Sequence, residues 1–368
     1  MTAVSSSLQP PASGLPSIVI TGLGCVLPCG DGIEAARSAW AASNPCFSDL
    51  AAGLGTGLAG VCSGFKPAGI IPPIVLRRLD RPSRFAWVAA HQALLDSGLD
   101  FKSDGDRIGI AAGTTTGGNE AAEAFIGPYF DRGPEGASPM VFPNCVANAA
   151  SGHLAIAFGL RGPAITLVDR ENATLLALDQ AVRWLRTGMA ASVLLLGTDG
   201  LFPLQIQLLQ AVRRMAKGLP RAGAGTGLLP GEGAQAFVLE TADHARARGA
   251  RIRARLGGYA AAAGRSESRA HRREALARAL GKLGTLHPGA WIGGASGLAT
   301  LDAVELPLAA QHPDWPAPRL PKLLWGEFGG SGGQLLAAAL LESNRSVLLT
   351  APASAGPQVA MTLEDVQG

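Results

Sequence analysis

Short, predominantly apolar runs recur along the chain, with stretches of helical spacing between them. The first two thirds carries Ile18–Thr21, Ile108–Ala111, Ile165–Val168, Ser192–Leu196 and Ala236–Leu239. A second series follows at Ile252–Leu256, Trp291–Ile292, Leu320–Leu323, Ser346–Thr350 and Val359–Leu363. Apolar runs of two to five residues, most without polar alternation, predict strands covered on both faces by helices. Helices are predicted at Arg84–Ser97, with Gly98 as its stop, and at Ala173–Arg186, Arg272–Leu283 and Gly333–Glu342. The order predicts an α/β protein of two related halves. Residues 17–241 form the N-terminal half and residues 250–368 the C-terminal half, joined through the polar, helix-forming stretch Thr241–Arg251. The Gly- and Ala-rich segment Gly218–Gly231 predicts a flexible surface loop. It lacks the Lys-Ser/Thr that follows a phosphate-binding loop, which argues against a nucleotide site.

Composition narrows the class. Of 368 residues 47% are hydrophobic and 16% charged, with 49 Gly, 25 Pro and 5% aromatics, a balance suited to Ala-, Val- and Leu-rich cores with many tight turns. A formal net charge of +3 is too small to call for a nucleic-acid partner, and the densest basic patch, Arg269–Arg273, reads as a solvated helix face. Five cysteines, an odd count in a long chain, predict reduced thiols and not a disulfide framework. Cys25 and Cys29 are not followed by a second Cys or His pair at zinc spacing, so no metal site is expected. The first sixteen residues lack a basic start and an apolar core, and are expected to be a disordered tail and not a signal peptide. No apolar run approaches the ~18 residues that span a bilayer. The expectation is a cytoplasmic protein with no membrane and no nucleic-acid partner.

Several segments together resemble the thiolase-fold β-ketoacyl synthases. They are IVITGLGCVLPCG (18–30), RRLDRPSRFAWVAAHQALLDSGL (77–99), FPNCVANAASGHLAIAFGLRGP (142–163), AVRWLRTGMAASVLLLGTDG (181–200), PGEGAQAFVLE and DHARARGARIRARLGGY (230–259), LDAVE (301–305) and PKLLWGEFGGSGG (321–333). They cover nearly the whole chain in order. The resemblance implies a five-layered αβαβα fold of two pseudo-symmetric halves, with no cofactor. Such synthases extend acyl chains with a cysteine nucleophile at a helix N-terminus, donors for the thioester oxyanion and two histidines that stabilise the carbanion left when malonyl loses CO2.

All three catalytic positions carry other residues. In GPAITLVDRENATLLALDQA the nucleophile position falls on Glu171. The first histidine, eight residues before Asp302, falls on Gly294, and the second falls on Glu327 of KLLWGEFGG, with Lys322 retained. The family's Gly-Phe-Gly-Gly loop is replaced by Pro352–Gly356. With no thiolate and no imidazole pair, the pattern resembles the chain-length factor, the non-condensing partner of the ketosynthase in type II polyketide systems. Those proteins typically carry Gln where Glu171 stands.

The resemblance therefore implies a pseudo-enzyme that forms a heterodimer with a catalytic ketosynthase, meets an acyl carrier protein transiently and limits product length by supplying the tunnel floor. Helical spacing after Gly117-Gly118 puts Asn119, Ala122 and Ile126 on one face as the tunnel-lining candidates. The small Ala122 points to a long or rigid product such as a polyene. Ordinary interface packing is the alternative for these three. Met140 and Phe142 are expected to reach the partner, with a core anchor as the alternative for Phe142. Glu171 is expected at the start of helix Ala173–Arg186, with Lys322 neutralising Glu171 or Glu327 in a water-poor polar plug. Two other readings stand beside this one: an independent malonyl decarboxylase, acyltransferase or hydrolase using Glu171, Glu327 and Lys322, and a homodimeric scaffold protein.

Overall fold

The computed structural model describes residues 7–8, 15–265, 268–328, 330–343 and 346–367. Most of the sixteen-residue tail lies outside them; of its described residues, Ser7 and Leu8 pair with Ala260 and Tyr259.

The N-terminal half contributes five strands to the main path of the sheet: β1 (Ile18–Leu27), β2 (Ile108–Thr114), β3 (Ala164–Val168), β4 (Ser192–Asp199) and β5 (Gly233–Thr241). They lie in the order β3-β2-β4-β5-β1. β2 runs parallel to both neighbours, whereas β5 is antiparallel to β4 and β1. The C-terminal half contributes β6 (Ala254–Ala263), β7 (Ala290–Gly293), β8 (Ser346–Ala351) and β9 (Pro357–Glu364), ordered β7-β8-β9-β6. β7 is parallel to β8, and β9 is antiparallel to β8 and β6. A fifth member is reduced to one residue, Arg319, which bridges in parallel to Ile292 of β7. The two halves thus repeat one strand order and one set of directions. They join where β6 meets β1 at Ala254↔Ile20 and Arg255↔Val19.

The single-residue member corrects the strand expected at Leu320–Leu323. Pro318 and Pro321 flank the segment and offer no N–H to a ladder, so only Arg319 pairs, and the chain turns at once into the short helix Lys322–Trp325.

Strand side chains alternate between cores, as the period of two requires. From β4, Val193 and Leu195 enter the central core while Leu194 and Leu196 enter an outer one. From β8, Val347 and Leu349 turn to the same central core and Leu348 to the opposite outer one. The central core is filled by two helices, Ala173–Arg186 and Ser331–Leu340, one from each half. The helix Arg81–Ser97 covers the outer face of the first half, and Arg269–Gly281 with Ala299–Glu305 that of the second. Helix, sheet, paired helices, sheet and helix make the five-layered αβαβα thiolase-like fold. The connection is compact: β5 ends at Thr241, whose hydroxyl caps helix Ala242–Ala247, and β6 begins at Ala254. Among the described residues no helix is long and apolar enough to cross a membrane.

Candidate functional site

The helices that frame the molecule run, in chain order, α1 (Ile33–Ala42), α2 (Arg81–Ser97), α3 (Asn119–Arg132), α4 (Ala149–Phe158), α5 (Ala173–Arg186), α6 (Pro203–Ala211), α7 (Ala242–Ala247), α8 (Arg269–Gly281), α9 (Ala299–Glu305), α10 (Lys322–Trp325) and α11 (Ser331–Leu340).

Glu171 lies between β3 and α5, one residue before the α5 cap. Its Oε2 accepts the backbone N–H of Ser354 at 3.0 Å. Asn172 does not cap α5 with its side chain; its buried Nδ2 donates to the carbonyls of Ala351, at 2.8 Å, and Pro357, at 2.9 Å. The start of α5 is thereby fastened to both ends of the loop 352–356. Arg272 of α8 clasps the same loop, donating from Nη1 to the carbonyls of Ala353 and Ser354, each at 3.2 Å. This corrects the reading of Arg269–Arg273 as a solvated face: Arg272 is buried. A buried guanidinium needs acceptors, and the loop carbonyls supply them.

Gly294 follows β7, and its N–H donates to Glu305 Oε1 at 2.9 Å while Ala295 N–H donates to Oε2 at 2.7 Å. Asp302, one turn earlier on α9, accepts the N–H groups of Ser296, Gly297 and Gly223. The two carboxylates of the Leu301–Glu305 motif thus hold the loop that should carry the first histidine. That loop has no room for one. A Cβ on Gly294 would stand 2.7 Å from Pro352 Cδ and 3.3 Å from the Thr350 carbonyl oxygen. Thr350 Oγ1 donates to Glu305 and accepts Trp291 Nε1–H at 2.7 Å. Complete burial pushes the Glu305 carboxyl up to about 7, against the opposing pull of Thr350, the two amides and the Lys322 charge.

Glu327 sits just beyond α10, in parallel bridge to Pro230. Lys322 Nζ stands 2.9 Å from Glu327 Oε2, with the lysine side chain 1% and the glutamate 11% exposed. Of the two partners expected for Lys322, the structure selects Glu327.

Glu171 and Glu327 are brought together on one cavity of about 320 Å³, whose wall also includes Ser354, Phe328, Leu298 and Arg214. Gly294 is not in its lining. The cavity corrects the expected water-poor plug: Glu171 is half-buried and faces open space. No cysteine or histidine lines it among the described residues. Cys25 and Cys62 are buried elsewhere, and no cysteine is hydrogen-bonded to a histidine among the described residues.

A second cavity, of about 690 Å³, lies between α3 and α6 and shares Thr115, Gln205 and Leu208 with the first. Asn119, Ala122 and Ile126 line it together, facing Leu204 and Leu208. Met140 and Phe142 do not join them. Met140 borders a separate groove of about 450 Å³ beside Trp87, His153 and Ile156. Phe142 packs on Phe125 with ring centroids 5.5 Å apart and is 60% exposed, which removes its core-anchor alternative.

Sequence reading missed Asp199. This buried carboxylate accepts the hydroxyls of Thr114, at 2.7 Å, and Thr116, at 2.6 Å, and the N–H groups of Thr115 and Thr116. It fixes the turn from which α3 springs and from which Thr115 enters both cavities. The three consecutive threonines were its visible signal. Arg272 and Asn172 had none beyond their chain neighbours.

The family of β-ketoacyl synthase N-terminal domains matches residues 16–245. The chain is 30% identical over 256 residues to the 3-oxoacyl-acyl-carrier-protein synthase 2 of Coxiella burnetii and 28% identical to that of Vibrio harveyi. Each match covers 66% of this chain and 62% of the relative, so it spans less than two thirds of those proteins. Among solved structures, the ishigamide ketosynthase/chain length factor superposes with a TM-score of 0.84 at 21% identity, over 96% of this chain and 100% of that one. A type II polyketide acyl-carrier protein in complex with its ketosynthase bound to the hexaketide gives 0.79 at 21%, over 95% and 100%. A β-ketoacyl synthase from Burkholderia phymatum gives 0.82 at 19%, over 96% and 100%. At such identities these likenesses establish the fold, and the family match adds descent. This chain belongs to the β-ketoacyl synthase family.

Proposed function

We propose that this chain is a non-condensing, chain-length-factor-like subunit that pairs with an active ketosynthase and shapes the tunnel for its growing polyketide. One observation carries the reading: the cavity that should hold a thiol and imidazoles is walled by Glu171 and Glu327 and, among the described residues, by no cysteine or histidine. Condensation requires a nucleophile that takes the acyl group and neutral donors that stabilise the carbanion. A carboxylate at 171 is a poor acyl carrier. It also occupies the Ser354 N–H, in the loop that stands where the family keeps its Gly-Phe-Gly-Gly. Glu327 is held by Lys322. Gly294 offers no imidazole.

The surface supports a partner. β3 is an edge strand with one neighbour, and Val168 at its end is 58% exposed. Apolar side chains stand out on α3 and α4, with Phe130 80% and Ile156 85% exposed. Patches of this kind mark protein interfaces. In the heterodimer Asn119, Ala122 and Ile126 form the floor of the partner's tunnel, and Met140 and Phe142 meet the partner. An acyl carrier protein delivers the chain to the pair, in the cytoplasm. The small Ala122 leaves the groove open, which suits a long or rigid acyl chain.

Co-expression with a ketosynthase encoded beside it tests the reading. The expected result is a one-to-one complex that makes product, with turnover retained in Glu171→Gln/Glu327→Gln. A large fall in product per folded heterodimer in that double variant would favour an acid–base enzyme. A stable homodimer that ignores the ketosynthase would favour a scaffold.

A further inference from the structure

A recess of about 380 Å³ opens on the outer side of the C-terminal half, between α8 and the segment that runs on from α9. It shares no lining residue with the cavity at Glu171 or with the groove between α3 and α6. Its floor is apolar: Leu280 of α8 and Leu308 of the short helix Pro307–Gln311 are buried in the outer core of this half, and Leu286 and Trp315 pack against that core. Trp315 is fixed in place by its neighbours. Its indole stacks on the His312 imidazole, with ring centroids 3.9 Å apart and planes 8° from parallel, and meets the buried Trp291 edge-on at 5.6 Å. Prolines at 313 and 316 hold the backbone on either side of Asp314 and Trp315. The recess is therefore formed in advance of any occupant.

We propose that this recess binds a small organic cation, an ammonium group carried on an apolar body. Asp314 supplies the charge. It stands exposed in the lining, no Lys or Arg lines the recess, and Asp314 makes no ion pair among the described residues. Arg273 and Arg278 of α8 are directed elsewhere, donating to the carbonyls of Ala303, at 2.6 Å, and Ala263, at 2.7 Å. An ammonium donating to Asp314 makes a charge-assisted bond, stronger than a neutral one, and aromatic rings beside the carboxylate favour a cation further. The apolar body covers Leu280, Leu308 and the Trp315 ring, which water would otherwise wet. An anion finds no cation here to pair with. A metal ion finds one carboxylate, and no group of three or more His, Cys, Asp or Glu is assembled among the described residues. The volume sits near the lower end of the range for small-molecule sites, ~300–1,000 Å³, which limits the body to a single ring or a short alkyl chain. Occupancy would bear on the segment just beyond α9, the helix whose Asp302 and Glu305 hold the Gly294 loop.

The full chain is titrated with phenethylamine as the probe, by calorimetry and by NMR of its six tryptophan indole N–H signals, that of Trp315 being assigned through Trp315→Phe. The expected result is saturable binding that moves the Trp315 signal. Phenylacetate should not bind, and 2-phenylethanol, the same body without the charge, should bind roughly tenfold more weakly than the amine. Asp314→Asn should weaken the amine about tenfold and leave the alcohol unchanged. Ala277→Trp, which fills the recess from the exposed side of α8, should abolish both. The proposal is overturned by equal affinity for amine and alcohol, by full affinity in Asp314→Asn, by shifts confined to tryptophans other than Trp315 and Trp291, or by no saturable binding to the unmutated chain. Thermal unfolding checks that each variant is folded, and the three probes on the unmutated chain decide if one is not.

Discussion

Replacing Lys322 by Met removes the ammonium from a pair that is almost wholly out of water. The lysine side chain is 1% exposed and the Glu327 carboxylate, 2.9 Å away, 11% exposed. Each ion offsets the desolvation of the other, so removal of one leaves an uncompensated charge, a loss of about 3–5 kcal/mol. The reciprocal variant, Glu327→Gln, strands the ammonium less severely, because Lys322 is close enough to Glu305 to pull its protonation down. Combining Lys322→Met with Glu327→Gln removes both charges and should recover roughly 2 kcal/mol relative to the sum of the single losses. Urea unfolding of the unmutated chain, both single variants and the double variant at one pH closes the cycle. A Lys322→Met loss below about 1 kcal/mol, or strictly additive single losses, would refute a structural ion pair.

Glu305 titrates at about 7 in the fold against an ordinary 4.5, so between those values the folded state holds more protons than the unfolded one. Stability from this group is highest below about pH 4.5 and falls as pH rises through 7, by up to ~3 kcal/mol. Glu305→Gln should flatten that part of the urea-midpoint profile. Glu120, also pushed up to about 7 by burial, acts in both proteins and cancels in the difference; a pH-independent difference would count against the raised Glu305. Restoring the family's residues by Glu171→Cys/Gly294→His/Glu327→His should yield no condensation product, since the new Cβ at 294 meets Pro352 Cδ at 2.7 Å. Product formation by that variant alone would show the site to be more plastic than its packing allows. Ala122→Phe fills part of the groove of about 690 Å³ between α3 and α6 and should shorten the products of an intact heterodimer, read by mass spectrometry. Unchanged product length would take α3 out of the tunnel.

Most strands were legible because they are buried on both sides, and even the edge strand β3, half-buried or exposed throughout, kept an apolar run that located it. Helix Ala173–Arg186 was read to the residue, its apolar stripe being bounded by Glu171-Asn172 and Thr187-Gly188. Leu320–Leu323 misled because its leucines read as a strand, but the prolines at 318 and 321 withdraw the donors a strand needs. The substitutions at 171, 294 and 327 could be read from spacing. Their consequences could not, because they depend on contacts between distant segments. Arg272 reaches the loop 352–356 across some eighty residues, and only packing decides that this arginine, among its basic neighbours, turns inward. The same holds for Pro352, which closes the space beside Gly294. Met140 and Phe142 adjoin the tunnel candidates in sequence, yet the fold places them away from the α3–α6 groove.

The most direct test is acyl loading, followed by intact-protein mass spectrometry, of this chain alone and in complex with an active ketosynthase, each supplied with acyl-loaded carrier protein. The prediction is that the acyl group is found only on the partner, and that no carbon–carbon bond forms without it. An acyl adduct on this chain, or extension of the acyl group by this chain on its own, would contradict a subunit that has given up the condensing chemistry of its family.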